Sequence, residues 1–267
     1  IFARTTFGGG SFQQLLPLPN LGDVIWVATN GTAAGPGTID RPYDTPQNGY
    51  DAAPAGGAVA IASGTYAGGL SMSNTDVHVV GVGRPTVASV TYSGTASAGR
   101  VLLKDIMFFA GTFTGSKLKC VNCRFEIATT VAGPASEIEF QNCYFFSGGG
   151  MPAVLLAAGA SQVSINNCAL QGINMGALMI DTNVTYVEVV QSELSCRPGF
   201  PAVFDLETAP LAPPHHFSHN VIVGNSGPAF MASGTGTIAF FNNTVQGPLA
   251  GAFAPGSLAS GEVFPGG

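Results

Sequence analysis

The segment Ile138-Glu139-Phe140-Gln141-Asn142-Cys143-Tyr144-Phe145 alternates apolar and polar residues up to Asn142 and then changes phase. Six further segments, 101–108, 118–125, 163–170, 187–194, 216–223 and 238–245, align with it on one polar anchor. The anchors run Asp105, Asn122, Asn142, Asn167, Gln191, Asn220 and Asn242. Their spacing of 17 to 29 residues is that of a solenoid coil. Positions four and two before the anchor are mostly apolar, and the one three before is often polar (Lys119, Glu139, Ser164, Glu188), which is the period of a strand with one face turned inward. After the anchor the inward positions shift parity, to Cys123 then Phe125, Cys143 then Phe145 and Cys168 then Leu170, so the anchor sits at a bend between two strands. A second register lies about ten residues on, in Ala153-Val154-Leu155, Ala177-Leu178-Met179, Ala202-Val203-Phe204, Ala229-Phe230-Met231 and Ala252-Phe253-Ala254. It supplies a third strand per coil.

Three strands per coil define an all-β chain, a single-stranded parallel β-helix with three sheets. The repeated amide at one bend resembles the asparagine ladder of the pectate-lyase-like family, and the resemblance implies right-handed winding. About seven to nine coils spaced by roughly 4.8 Å make a rod some 35 to 45 Å long. The stacked anchors are expected to hydrogen-bond from coil to coil, satisfying a buried bend.

Ahead of the repeats, Ile25-Trp26-Val27-Ala28-Thr29-Asn30-Gly31, Pro36-Gly37-Thr38, Arg41-Pro42-Tyr43-Asp44-Thr45, Tyr50-Asp51-Ala52-Ala53 and the run 57–66 read as strand, glycine-rich turn, short capping helix, strand and turn. In that order they resemble the opening segment of many parallel β-helix proteins, including ones found among phage virion proteins. Pro46 and Gly49 inside the helix predict that it is short or irregular. Its physical job is to cover the open end of the core. Residues 1–22 show neither helical nor strand period and read as an extended arm. Phe2, Phe7, Phe12, Leu15 and Leu16 make that arm apolar enough to dock against a surface. The chain therefore divides into the arm 1–22, an opening strand and cap 23–70, coils 71–254 and a tail 255–267.

The 267 residues are 46% hydrophobic, enough for a substantial core in one elongated domain. Only 9% are charged, against roughly a quarter in an average soluble domain, so the surface is either uncharged polar or covered by partners. A net charge of −6 without a basic stripe excludes phosphate-backbone binding, and no nucleic-acid partner is expected. No apolar run approaches the ~18 residues of a membrane span, and Ile1-Phe2-Ala3-Arg4 does not read as a signal peptide. Five cysteines cannot all pair within one chain.

Several constellations resemble sites. Cys123, Cys143 and Cys168 share a register, and Cys120 with Cys123 forms a lone C-x-x-C without the second pair that zinc requires. They read as free, buried thiols filling a column, although a bridge between adjacent coils is sterically allowed. His215, His216 and His219 lie on one extended segment, too far apart for a shared ion. Glu139 and Glu188 share a column two coils apart, a separation near 10 Å that matches a glycosidase pair, but Lys119 and Ser164 in the same column favour a solvated outer face. Glu137, Glu193, Asp181, Asp205 and Glu207 are acids with no fixed geometry. Asn74-Thr75-Asp76 is similar to one polygalacturonase signature, but the companion Asp-Asp, Gly-His-Gly and Arg-x-Lys signatures are missing. The mid-rod cations Lys104, Lys117, Lys119 and Arg124 lack the acidic calcium ligands of a pectate lyase pattern.

These features point to a non-catalytic structural protein of a virion or extracellular surface assembly, with no cofactor and no metal. The alternative is a carbohydrate-binding or polysaccharide-degrading β-helix; Trp26, the single tryptophan, precedes the repeats and speaks against sugars. The expected partner is the chain itself, as a trimer for example, or a capsid or surface-layer protein, with carbohydrate possible. Consecutive apolar residues on the third strand must turn one column outward, either Val154, Leu178, Val203, Phe230 and Phe253 or Leu155, Met179, Phe204, Met231 and Ala254. The first column, with the arm, is taken as the interface.

Overall fold

The computed structural model describes residues 24–73, 76–96, 100–197, 199–206, 215–225, 228–232, 238–251, 258–259 and 263–264. Every strand pair named for the repeats is parallel, and outside the sixth repeat the residues opposite one another on face 1 keep the alignment read from the sequence, as in Leu118↔Ile138 and Ile138↔Val163. The result is an all-β solenoid of about seven turns. One face, face 1, carries eleven strands, from Val24–Val27 to Leu258–Ala259. Seven of these precede a bend anchor, and the remaining rungs extend the sheet at both ends.

Two other faces follow each bend. Face 2 contains Tyr144–Ser147, Ala169–Gly172, Glu193–Cys196, Val221–Gly224 and Thr244–Gln246, and face 3 contains Val154–Leu156, Leu178–Ile180, Val203–Asp205, Phe230–Ala232 and Leu249–Gly251. The three expected sheets are three faces but only two hydrogen-bonded sheets, because Thr86–Tyr92, Met107–Phe113 and Arg124–Val131 run through the corner without a break. A register shift between Phe125 and Ala128 turns that corner. In the last coil, face 3 is Leu249–Gly251, opposite Phe230–Ala232, so the expected Ala252-Phe253-Ala254 strand is displaced; Phe253 and Ala254 lie outside the described residues.

At the amino end, Thr45 caps the helix Pro46–Ala52 by accepting from the Asn48 N–H at 3.2 Å. Pro46 stands at the first helical position, where its missing N–H costs nothing, so it starts the helix rather than disturbing it. Gly49 is required by close approach: a Cβ there would lie 2.4 Å from a Val27 methyl. This draws the helix onto the first strand and seats Tyr50, 1% exposed, over the end of the core.

The interior is aromatic along much of its length. Phe125 stacks on Phe145 with centroids 5.1 Å apart and on Phe108 at 5.6 Å, while Phe140 meets Phe145 edge-on at 5.1 Å. Phe217, Phe230 and Phe240 form a second cluster further along. Such offset and edge-on pairs add to simple area burial.

The bend is left-handed backbone. Asp105, Asn122, Asn142, Asn167, Gln191, His219 and Asn242 all have φ between 51° and 58°. The anchor of the sixth repeat is thus His219, not Asn220: Ser218 pairs with Phe241, which aligns His219 with Asn242. Asp and Asn dominate because their short polar side chains tolerate this conformation. Their amides do not form a buried ladder. Asn122, Asn142, Asn167, Gln191 and Asn242 are exposed, and their contacts are separate pairs: Asn122 to Asp105 at 3.0 Å, Asn167 to Asn142 at 2.7 Å and Asn242 to His219 at 3.3 Å.

The continuous buried ladder stands one residue later, in Cys143, Cys168, Ser192, Asn220 and Asn243. The Cys143 N–H donates to Cys168 Sγ at 3.3 Å, Cys168 N–H to Ser192 Oγ at 3.1 Å, Ser192 N–H to Asn220 Oδ1 at 2.8 Å and Asn220 N–H to Asn243 Oδ1 at 2.9 Å. Four successive bends therefore have their inward N–H satisfied by the side chain of the following coil, as a buried donor must be. All five cysteines are free and buried. Burial raises the Cys143 and Cys120 thiols well above their ordinary range, so neither is a poised nucleophile.

Candidate functional site

Two surfaces stand out. The first is the outer side of face 1, where strand register stacks Lys119, Glu139, Ser164, Glu188 and His216 in one column. Glu139 pairs with Lys119 at 2.8 Å and also with Arg100, which approaches from the loop before its strand. Ser164 donates to Glu188 at 3.2 Å, Asn166 donates to Ser164 at 2.8 Å, and His216 lies 3.7 Å from Glu188. Beside the column is a shallow groove of about 640 Å³ lined by Arg100, Gln162, Asn166, Tyr186 and the two glutamates.

The geometry limits what this groove does chemically. Two rungs separate the carboxylates by roughly 10 Å, at the upper edge for an inverting glycosidase pair. Yet each oxygen of Glu139 already meets a cation, so a sugar would have to compete with Lys119 and Arg100 for this carboxylate. The Ser164–Glu188–His216 row also has the wrong order for nucleophilic activation, since the histidine touches the acid and not the hydroxyl.

The remaining candidates disperse. His215 faces inward and accepts from the Val187 N–H at 3.2 Å, His216 faces outward, and His219 occupies the bend. No group of three or more His, Cys, Asp or Glu among the described residues is placed to hold a metal ion. Lys104 lies 3.7 Å from Asp105, while Arg124 pairs with Glu126 and sits 4.8 Å over the Tyr144 ring. Asp181 caps Thr182 N–H at 2.8 Å, Asp205 is buried, Glu193 is exposed, and Glu137 has φ 55° where face 1 begins. Asn74, Thr75 and Glu207 lie outside the described residues, as does the arm with Phe2, Phe7, Phe12, Leu15 and Leu16.

The second surface is face 3. Val154, Leu178, Val203 and Phe230 are 0% exposed, so the column taken as the interface is core. The outward column is the other one: Leu155, Met179, Phe204 and Met231 stand opposite one another on successive rungs, each partly exposed. Toward the amino end the same column continues as Thr130, Thr112, Thr91 and Ser71. Met151, Met175 and Phe200, exposed by 44%, 39% and 39%, add a second apolar row at the corner with face 2. That row was legible in the repeat, since each member stands two residues before Ala153, Ala177 or Ala202. Arg100 carried no such signal.

No protein-family model matches the chain, and no curated protein matches it in sequence. Among solved structures, pectate lyase Pel9A superposes with a TM-score of 0.62 over 90% of this chain and 73% of that one, at 13% identity. A rhamnogalacturonan lyase gives a TM-score of 0.46 at 16% identity, over 84% of this chain and 74% of that one. At such identity the likeness is one of fold. The chain is a right-handed parallel β-helix of the pectate-lyase-like type.

Proposed function

We propose that the chain is a non-catalytic structural protein of a surface assembly, on a virion or in the extracellular space, which docks through face 3. The observation that carries this reading is the outward column Leu155, Met179, Phe204 and Met231 with its flanking row of Met151, Met175 and Phe200. A continuous apolar band of this kind is rarely left in water on a lone soluble protein. Engagement of both Glu139 oxygens by cations supports the absence of hydrolytic chemistry on face 1.

A second reading, binding of a polysaccharide, is favoured by the face 1 groove, whose Gln162, Asn166, Tyr186 and Glu188 offer donors and acceptors suited to sugar hydroxyls. Peroxide footprinting tests the first reading. In the isolated chain Met151 and Met175 oxidise readily, and in the native assembly they are protected. The reading fails if they oxidise equally in both, or if purified protein depolymerises a polysaccharide and Glu188→Gln abolishes that activity.

A further inference from the structure

We infer that the occupant of face 3 is a second copy of this chain, lying parallel and in register, face 3 against face 3, about a twofold axis that runs along the rods. The inference deepens the assembly reading and rests on it. It follows from how little charge borders the apolar band and where that charge lies. In the stretches 145–160, 170–185, 195–206 and 222–232 the only Asp, Glu, Lys, Arg or His residues are Asp181, Arg197 and Asp205. Asp205 is buried inside the rod. Asp181 directly follows the face 3 strand Leu178–Ile180, whereas Arg197 directly follows the face 2 strand Glu193–Cys196, at the opposite edge of face 3 and one rung further along. Arg197 is exposed, and Asp181 is partly so.

A twofold axis along the rods exchanges the two edges and keeps the rung. Each Asp181 then faces the edge that carries the partner's Arg197, one rung away, about 4.8 Å along the axis and within reach of an arginine side chain. Two symmetric ion pairs would flank an apolar seam in which Met179 and Phe204 each meet their own copy. An antiparallel pair would leave each charge on the same edge as its like. It would also leave the threonine rungs, Thr91 and Thr112 among them, without an opposite number.

Size favours the parallel pair as well. The apolar rungs alone offer roughly 300 Å² per copy, but the eight-rung column from Ser71 to Met231 offers about 600 Å², close to the ~800 Å² per partner of a standard interface. Only in-register packing uses the whole column while setting apolar rungs against apolar rungs.

The test uses the full chain and begins with sedimentation equilibrium. The expected result is a dimer of about twice the 27.1 kDa chain mass, converted to monomer by Phe204→Glu, an outer-face change that leaves the core intact. Asp181→Arg or Arg197→Asp alone should weaken dimerisation on the order of tenfold, and the two together should restore it. Met179→Cys treated with a short bismaleimide should give a thioether-linked dimer on a denaturing gel, each thiol adding across one maleimide double bond, because facing sheets about 10 Å apart are too far for a direct disulfide. A monomer or trimer as the stable species, failure of the double variant to recover, or absence of the cross-linked dimer in the Met179→Cys variant would each overturn the inference. A monomer whose Met151 and Met175 are nonetheless protected in the native assembly would defeat the self-pairing alone and leave the assembly reading intact.

Discussion

Replacing Asn220 by leucine tests the buried bend ladder most directly. Asn220 Oδ1 accepts the Ser192 N–H at 2.8 Å, and its Nδ2 donates to the Val189 carbonyl at 2.8 Å and to Asn243 Oδ1 at 2.9 Å. Asn243 Oδ1 keeps one donor in the variant, the backbone N–H of residue 220. The Ser192 N–H loses its acceptor, whereas the Val189 carbonyl, facing the strand His215–Ser218 in the parallel ladder, keeps its backbone donor. One orphaned buried donor costs about 1 to 3 kcal/mol and the two lost side-chain bonds about 0.5 to 1.5 kcal/mol each, while the larger apolar side chain returns about 1 to 2 kcal/mol, for a net loss near 2 to 3 kcal/mol. Asn167→Leu is the contrast, because Asn167 is exposed and loses one amide contact to Asn142 at 2.7 Å plus its tolerance of left-handed backbone. That should cost about 1 to 2 kcal/mol. Urea unfolding measures both, with the midpoint shift multiplied by the slope. If Asn220→Leu stays within about 0.5 kcal/mol of the parent, or costs less than Asn167→Leu, the ladder has been placed on the wrong residue.

His78 accepts the Leu102 N–H through Nδ1 at 3.1 Å, and burial lowers its pKa. The unfolded chain therefore binds the proton more readily, so this contribution to stability is full above the ordinary pKa of about 6.5 and is lost as pH falls through the lower folded value. Melting temperatures from pH 8 to 5 should show it, and a His78→Gln variant with an unchanged pH slope would contradict it. Phe125→Ala, at the centre of the stack with Phe108 and Phe145, should cost about 3 to 5 kcal/mol in the same urea assay; a loss under 1 kcal/mol would mean the rings are not packed as described. A thiol reagent should label none of the five cysteines in the native rod within minutes and all of them in denaturant, and intact-mass detection of a bridge would refute free thiols.

Much of the fold was legible because alternation is a strong signal where one side of a strand is wet. Leu118, Ile138 and Val163 stack as their positions in the repeat implied. Face 3 was ambiguous for the same reason in reverse. In Val154-Leu155-Leu156 three consecutive apolar residues carry no parity, and the corner at Ala153 decides which of them turns inward. At the sixth bend the His219-Asn220 pair offered two polar residues for one anchor, and an Asn next to a His attracts the alignment although either tolerates left-handed backbone. The Glu139 ion pairs were only half visible: Lys119 is its neighbour in the repeat, but Arg100 lies 39 residues away and outside the repeated segments.

The ladder gives the rod a direction. From Cys143 to Asn220 each bend has an N–H that the next coil accepts, so these turns are chemically finished by their successors. The two ends are therefore not equivalent termini. The amino end is closed by Tyr50, whereas trimming coils from the carboxyl end strips the acceptor from the last remaining bend each time. A lengthened rod engineered by copying turns would need its copies inserted upstream of Asn243, with the existing terminal coils kept as the stop.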